Sequence, residues 1–297
     1  MAKTDTTKQP TGLDLYSIAA HRAAREVIYS YSTSFGFATR LLGKSVRSHV
    51  ENIYAMVRVA DEIVDGSAQQ AAQTADGIDP GKELDAFEAE TYRAMQTGFS
   101  TNLILHSFGV TAREIGIGKD IVEPFFYSMR QDLTESEHDQ ASFERYVYGS
   151  AEVVGLMCLA AFVQGKSYTK EEKVLLVKGA RALGSAFQKV NFLRDLAADF
   201  KRLGRSYFPG VNVNNFDEGT KARLVADINK DLEQSARSLP LLPRSARVAV
   251  TAAQLLFAEL NSKIGNTSAA DLINTRISVS NFKKLILVLR AYLGAKP

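Results

Sequence analysis

The sequence has little cysteine, histidine or proline, and each shortage narrows the classes of protein it can encode. A single cysteine, Cys158, among 297 residues allows no intrachain disulfide. Four scattered histidines argue against a zinc site, because such sites are built mainly from imidazole and thiolate ligands. Seven prolines occur and none lies between Pro124 and Pro209, so the sequence predicts long uninterrupted helices.

Excess charge of either sign and long hydrophobic runs are also missing. Lysine and arginine total 36 against 33 aspartates and glutamates, which leaves a net charge of +3. No basic segment stands out, so nucleic acid is not an expected partner. No run reaches the roughly 18 uninterrupted apolar residues of a membrane span, and the first residues are polar, unlike a signal peptide. We therefore expect a reducing, cytoplasmic location.

Apolar residues repeated at intervals of three and four are the main pattern that is present, as in Val50, Ile53, Tyr54, Val57 and Val64. This period is typical of amphipathic helices, and it predicts an all-α protein of about ten helices. The predicted helices cover residues 13–30, 46–65, 82–97, 101–115, 119–133, 140–164, 170–203, 220–238, 243–265 and 278–294. We expect a polar tail over residues 1–12, one domain over 13–297, and a loop from Ser67 to Gly81.

Two of the predicted helices carry clustered carboxylates on one face. Asp61 and Asp65 are four residues apart in VRVADEIVDG, and Asn191, Asp195 and Asp199 repeat this spacing in FQKVNFLRDLAADF. Apolar neighbours surround both clusters, so uncompensated charges there would be costly. Carboxylate and amide oxygens suit Mg²⁺, whose coordination is often completed by substrate phosphates. The clusters therefore indicate a site for Mg²⁺ and diphosphate, although a structural role remains the alternative.

The same spacing at Asp227 and Asp231 serves as an internal comparison. The neighbours of these two residues are polar and charged, in the segment ADINKDLE. Such a pattern is typical of a solvated helix face, and it predicts a structural role for this pair. Cys158 lies among apolar residues without a nearby histidine in sequence, which predicts a packed thiol and not a nucleophile.

Three longer segments resemble the signatures of the squalene/phytoene synthase family. YSTSFGFATRLLG with IYAMVRVADEIVDG is similar to the first signature, YVYGSAEVVGLMCL to the second, and QKVNFLRDLAADFKRLGRSYFP to the third. Their order and spacing agree over roughly residues 25 to 290, and the resemblance is strongest to bacterial phytoene synthases. The resemblance implies an all-α isoprenoid-synthase fold with a central hydrophobic cavity.

The resemblance also implies an activity. It is the Mg²⁺-dependent, head-to-head condensation of two geranylgeranyl diphosphates, through cyclopropyl (prephytoene) diphosphate, to phytoene in carotenoid biosynthesis. Mn²⁺ is an alternative ion and NADPH is not expected, because Gly116 and Gly118 lack the strand and third glycine of a dinucleotide site. Two alternatives stay open: a dehydrosqualene or squalene synthase that uses two farnesyl diphosphates, and a non-catalytic helical scaffold.

The resemblance assigns roles to individual positions. The metal-binding positions correspond to Asp61, Asp65, Asn191, Asp195 and Asp199. Positions that contact substrate or line its cavity correspond to Ser32, Ser34, Phe35, Tyr54, Arg58, Tyr146, Gln188, Arg205, Tyr207 and Arg276. The aspartates, Arg58 and Tyr54 are the implied catalytic residues. From the residues alone, Ser32 and Ser34 are equally suited to cap a helix.

Prenyl diphosphates are the implied partners, and protein partners are not indicated. The C-terminal segment FKKLILVLRAYLGAKP combines cations with an apolar face. This combination suits a peripheral contact with the inner face of a membrane, and the alternative is a last helix packed on the core.

Overall fold

The computed structural model describes residues 11–75, 77–203, 207–211 and 214–294, without the side chains of residues 33, 34, 37 and 197–203. Every regular element in these ranges is helical. The α-helices are α1 (Gly12–Tyr31), α2 (Thr33–Thr39), α3 (Lys44–Asp65), α4 (Ser67–Ala72), α5 (Pro80–Thr97), α6 (Leu103–Ile115), α7 (Lys119–Thr134), α8 (Gln140–Val147), α9 (Val153–Val163), α10 (Lys170–Leu203), α11 (Glu218–Ala236), α12 (Arg244–Asn266), α13 (Ala269–Leu272) and α14 (Asn281–Tyr292). The predicted all-α class is confirmed.

Capping side chains fix where several helices begin. Thr11 and Asp14 form a reciprocal capping box, so α1 begins at Gly12. The side chains of Asn102, Asp217 and Ser280 accept backbone N–H groups in the first turns of α6, α11 and α14. These caps satisfy amide groups that have no partner inside a helix, and they place each start within three residues of its prediction.

Three short helices, α2, α4 and α13, were not predicted. The expected loop from Ser67 to Gly81 is wrong over Ser67–Ala72, which form α4. The backbone N–H of Ser67 donates to Oε2 of Glu62 at 3.0 Å, which links the start of α4 to the last turns of α3. No residue of α4 is buried, so the segment has no apolar period that sequence inspection could detect.

A π-helical turn interrupts the helix predicted over residues 140–164. The turn spans Tyr148–Glu152, between α8 and α9. Gly149 lies so close to α7 that an added Cβ would be 2.1 Å from the carbonyl oxygen of Pro124. The extra residue of a π turn lets the helix keep this close approach, and such turns occur often at functional sites.

Two buried clusters hold the helices around α3 and α10. One lies among α3, α5, α6, α7 and α9 and includes Met56, Phe125 and Met157. The other lies among α8, α10, α11 and α12 and includes Val190 and Ile228. Helix α3 packs on α7 and α9, and α10 packs on α9, α11 and α12. This arrangement places α3 and α10 on either side of an internal cavity.

One helical segment within the described residues, Gln140–Val163, is long and apolar enough to cross a membrane by length and composition. Its most apolar window is 44% buried inside the fold. It also packs against α3, α7 and α10, and a core helix of this kind passes the same test.

Candidate active site

An elongated apolar cavity of about 320 Å³ lies between α2, α3, α9 and α10. At one end its wall includes Tyr54 from α3 with Gln188 and Asn191 from α10. At the other end it is lined by Leu176 and Leu242. The α10 residues from 176 to 191 span roughly 22 Å at 1.5 Å per residue. The cavity is therefore a long, mainly apolar slot, with Tyr54, Gln188 and Asn191 at one end and two serines, Ser235 and Ser238, near the other.

Arginine compensates the carboxylates of the first acidic cluster. Nη1 of Arg58 donates to Oδ2 of Asp61 at 2.5 Å, and Nη2 donates to Glu62. The guanidinium carbon lies 4.4 Å from the centre of the Tyr31 ring, which gives a cation–π contact. Nε of Arg58 is buried and has no hydrogen-bond partner in the described part of the chain. Arg58 thus retains donor capacity beside the acidic face.

Glu62 is a site residue that the sequence did not reveal. Burial alone would raise its pKa, but the hydroxyl and N–H of Ser67, together with Arg58, outweigh burial and lower the pKa. Glu62 therefore stays charged, and it positions Arg58 at the same time as it anchors α4. The sequence indicated only Asp61 and Asp65 as site residues in this segment, because those two aspartates have the four-residue spacing of a common helix face and Glu62 does not share it.

The second acidic cluster has a similar arrangement on α10. Asp195 accepts hydrogen bonds from Arg194 (Nη2 to Oδ2, 2.5 Å) and from Arg276 (Nε to Oδ1, 2.8 Å). Burial would raise the pKa of Asp195, but the two arginines lower it overall. Arg276 lies 81 residues further along the chain and is 71% exposed. Its contact with Asp195 brings Arg276 to the second cluster.

Both acidic clusters adjoin residues at the same end of the cavity. The charge of Asp61 contributes to the raised pKa of Tyr54, which lines the cavity, and Asn191 lines it one helical turn before Asp195. The charge of Asp65 contributes to the raised pKa of Tyr146. Tyr146 in turn packs on Phe192 of α10, with ring centroids 5.9 Å apart. The charge of Asp65 on α3 thus reaches Tyr146, whose ring packs on α10.

A buried tyrosine–carboxylate pair lies beside the clusters. The hydroxyl of Tyr146 donates to both carboxylate oxygens of Asp132, at 2.8 and 2.9 Å, and both residues are buried. Burial, followed by the charge of Asp132, raises the pKa of Tyr146 well above its usual value, so the phenol stays protonated. Tyr207 stacks between this pair and α10, with its ring 4.0 Å from that of Phe192. Asp132 was not predicted, because no recognisable sequence motif surrounds it on α7.

The remaining described positions lie at or near the polar end of the cavity. Ser32 caps α2, since its Oγ accepts the N–H of Phe35 at 3.1 Å, so the capping alternative is confirmed for this residue. Nε2 of Gln188 lies 3.4 Å from Oγ of Ser150 across the cavity. Burial is the main cause of the raised pKa of Tyr54, and Arg58 partly opposes it. The side chains of Ser34 and Asp199, and all of Arg205, lie outside the described residues.

Comparison with known proteins shows the family of the chain. The family model described as squalene/phytoene synthase matches residues 28–283. The chain belongs to the squalene/phytoene synthase family. It is thus an enzyme of a prenyltransferase family, and the resemblance seen in its three signatures is confirmed.

Relatives and solved structures extend along nearly the whole chain. The chain is 28% identical to phytoene synthase 3 of Zea mays, over 96% of this chain and 68% of the relative. It is 27% identical to a 15-cis-phytoene synthase of Synechococcus elongatus, over 93% of each chain. A dehydrosqualene synthase structure matches with a TM-score of 0.74, 20% identity and coverage of 94% of this chain and 97% of the other. A squalene synthase structure from Alicyclobacillus acidocaldarius matches with a TM-score of 0.71 and 18% identity. The match covers 85% of this chain and 95% of the other. These structures show the all-α isoprenoid-synthase fold.

The side chains fit a divalent cation by donor type but do not form a closed metal site. Among the described residues, no three His, Cys, Asp or Glu side chains are grouped closely enough to hold a metal ion. Instead, Asp61 and Asp195 are each neutralised by arginine. An open set of this kind suits Mg²⁺, which keeps waters and takes few protein ligands when phosphates are present.

Two further predictions from the sequence, for the Asp227–Asp231 pair and for Cys158, have clear outcomes. Asp227 and Asp231 both accept from Nζ of Lys189, at 2.6 and 2.8 Å, so the pair joins α11 to α10. The predicted structural role is confirmed, but the face is an inter-helix contact and not only a solvated surface. Cys158 lines the apolar cavity, and burial raises its pKa to about 12, so it is an unreactive packed thiol.

We expect Tyr146→Phe to lower the free energy of unfolding by about 1–3 kcal/mol, since the buried Asp132 carboxylate loses a hydrogen-bond donor. Urea unfolding followed by circular dichroism measures this loss. The matched control is Tyr168→Phe, which removes a less buried hydroxyl bonded to the carbonyl of Leu241 at 3.2 Å. Equal stability of Tyr146→Phe and native protein would show that the Tyr146–Asp132 contact contributes nothing.

Proposed function

We propose that the protein is a phytoene synthase that condenses two geranylgeranyl diphosphates, by way of cyclopropyl (prephytoene) diphosphate, in carotenoid biosynthesis. One observation carries the proposal: Tyr54 and Asn191 line one end of a long apolar cavity, and each lies on a helix within two turns of an arginine-paired aspartate, Asp61 on α3 or Asp195 on α10. Such a cavity suits a prenyl chain, and the clusters suit its diphosphate. The phytoene synthases among the relatives favour the C20 substrate.

The charged groups at the polar end supply what departure of diphosphate needs. Arg58 and Arg276 now pair with carboxylates, and a bound diphosphate would compete for their N–H donors. Fixed cations that face the leaving group stabilise the negative charge that develops as the carbon–oxygen bond breaks. Glu62 places a second carboxylate on Arg58 and so holds the guanidinium beside Asp61.

The proposed cofactor is Mg²⁺, with Mn²⁺ as a substitute, and NADPH has no part in the reaction. The residues proposed to hold the ion are Asp61, Asp65, Asn191, Asp195 and Asp199. When bound, the ion acts as a Lewis acid toward the phosphate oxygens. Despite burial, the arginines lower the pKa of Asp195, so that carboxylate stays charged.

Aromatic side chains protect the carbocation that forms when diphosphate leaves. Phe35 packs on Tyr54 and Phe187, with ring centroids 6.5 and 5.9 Å away. All three residues line the cavity. Aromatic faces attract cations by about 0.5–2 kcal/mol each, and the apolar wall keeps water from capturing the cation.

Incubation with labelled prenyl diphosphates tests the proposal. With Mg²⁺ and geranylgeranyl diphosphate we expect phytoene without NADPH, and EDTA should abolish the product. Product only from farnesyl diphosphate would favour the alternative, a dehydrosqualene or squalene synthase. Release of no diphosphate from either substrate would favour a non-catalytic scaffold.

A peripheral contact with the cytoplasmic face of a membrane is the second part of the proposal. Helix α14 exposes Phe282, Leu285, Leu289 and Tyr292 at helical spacing, with exposed fractions of 74%, 48%, 54% and 69%. It also carries three cations and no carboxylate within Asn281–Tyr292. Apolar residues bordered by cations suit the surface of an anionic bilayer.

Vesicle flotation measures this contact. We expect the double variant Phe282→Glu/Leu289→Glu to reduce the fraction bound to anionic vesicles at least tenfold, because each exposed apolar side chain contributes about 1.5–3 kcal/mol when buried. The control Val174→Glu changes an exposed residue on α10, 48% exposed, and should float like the native protein. Unchanged binding of the double variant would exclude α14 as the contact.

A further inference from the structure

A narrow cleft lies between the cavity and α14. It is lined by Ala252 and Leu256 of α12 and by Lys284, Leu287 and Val288 of α14. Three further residues, Phe35, Ala38 and Ala253, line both this cleft and the main cavity. The cleft therefore begins at the wall of the cavity and ends beneath the last helix.

The boundary between cleft and cavity consists of small side chains and aromatic rings. Ala38 and Ala253 contribute only methyl groups to it. Phe257 stacks on Phe187 at 3.7 Å, and Phe35 lies 6.0 Å from Phe257. Aromatic rings rotate without loss of covalent or hydrogen-bonded structure, so this boundary can open more easily than a packed helix pair.

Helix α14 is the outer cover of the cleft. It packs principally on α12, through Leu287 and Ala291 against Ala252 and Leu255. One ion pair, Lys283 with Glu259 at 3.2 Å, joins the two helices. The free volume in the cleft is about 20 Å³, which holds no prenyl chain. A chain can pass only when α14 shifts away from α12.

The outer surface of α14 indicates where this route leads. Phe282, Leu285 and Leu289 face away from the cleft, on the side opposite Leu287 and Ala291. The helix thus has one apolar side toward the protein interior and another toward the surroundings. Its cations and lack of carboxylates complement an anionic lipid bilayer, not a neutral or cationic surface.

We infer that α14 covers a side opening of the cavity through which apolar isoprenoid chains pass directly between the protein and an anionic bilayer. The inference rests on the proposed function for the identity of the chain. A C40 hydrocarbon has negligible solubility in water, and burial of each CH₂ group is favourable by about 0.8 kcal/mol. A route that ends in lipid removes the need to pass the charged end of the cavity.

Transfer of retinol, a fluorescent C20 isoprenoid alcohol, from the loaded protein to vesicles tests the route without any catalysis. Val288→Trp fills the cleft and should slow transfer at least tenfold, while Val288→Ala widens it and should speed transfer about threefold. Asn281→Trp adds the same ring at an exposed position of α14 outside the cleft and should transfer at the native rate. If the tryptophan variant does not fold, the faster transfer expected of Val288→Ala still tests the route.

The dependence on vesicles tests the lipid end of the route. We expect the native rate to rise in proportion to vesicle concentration and to be higher for phosphatidylcholine with phosphatidylglycerol than for phosphatidylcholine alone. A rate independent of vesicle concentration, equal rates for all variants at Val288, or failure of the native protein to load retinol would each overturn the inference. Failure of the proposed function is distinguished because it abolishes phytoene formation and leaves retinol transfer unaffected.

Discussion

Asp61→Ala is expected to lower kcat/KM by about 10³-fold with little change in folding. Asp61 belongs to the arginine-paired cluster at the polar end of the cavity. Removal of one proposed cation ligand forfeits several kcal/mol of stabilisation of the departing diphosphate, and each 1.36 kcal/mol is a factor of ten in rate. The ion pair with Arg58 is partly exposed, so its loss should change the free energy of unfolding by less than about 1 kcal/mol.

The chain offers a matched control with the same sequence spacing. Asp227→Ala removes the first aspartate of the pair on α11, and Lys189 keeps its contact with Asp231. We expect this variant to retain native activity within about threefold. Diphosphate release from geranylgeranyl diphosphate at saturating Mg²⁺ measures both variants. Native turnover by Asp61→Ala would remove Asp61 from the catalytic site.

Cys158→Phe is expected to change the preferred substrate length. Cys158 lies on the cavity wall two helical turns beyond Ser150, which faces Gln188 at the polar end. A phenyl ring there shortens the usable slot, while the diphosphate end is unchanged. Geranylgeranyl diphosphate needs the deeper part, and farnesyl diphosphate, one isoprene unit shorter, needs less of it. We expect kcat/KM to fall about 100-fold for the C20 substrate and less than tenfold for the C15 substrate.

Two control variants distinguish a change in cavity depth from a general structural effect of the substitution. Val177→Phe adds the same ring on α10 at a position that is 41% exposed, and should keep the native ratio of the two substrates. Cys158→Ala removes the thiol without adding bulk and should also keep that ratio, because the thiol is protonated and unreactive. Equal losses for both substrates in Cys158→Phe would show that the cavity does not select chain length at this position.

Local pattern was sufficient to predict most of the fold. Nine of the ten predicted helices occur as single helices, and the tenth, 140–164, is divided by the π turn, because amphipathic period and capping residues act within a few turns of chain. Helices α2, α4 and α13 were missed, since each has at most seven residues and cannot display two full periods. The π turn was missed because it depends on how closely Gly149 approaches α7.

The site was predictable only where its residues share a helix face. Asp61 with Asp65, and Asn191 with Asp195, follow from spacing alone. Arg276 came from the family resemblance, and its contact with Asp195 depends on a chain reversal that no local pattern contains. Asp132 and Glu62 were not predicted, because their importance comes from partners, Tyr146 and Ser67, that packing brings to them. Cavity depth also depends on packing, so the sequence left C20 and C15 substrates open.

The most direct test is a crystal structure with Mg²⁺ and an unreactive thiodiphosphate analogue of geranylgeranyl diphosphate. We expect the diphosphate and its ions between Asp61 and Asp65 of α3 and Asp195 of α10, with the hydrocarbon extending along α10 toward Leu176. Diphosphate bound away from both acidic clusters, or a hydrocarbon chain outside the cavity, would contradict the proposed site.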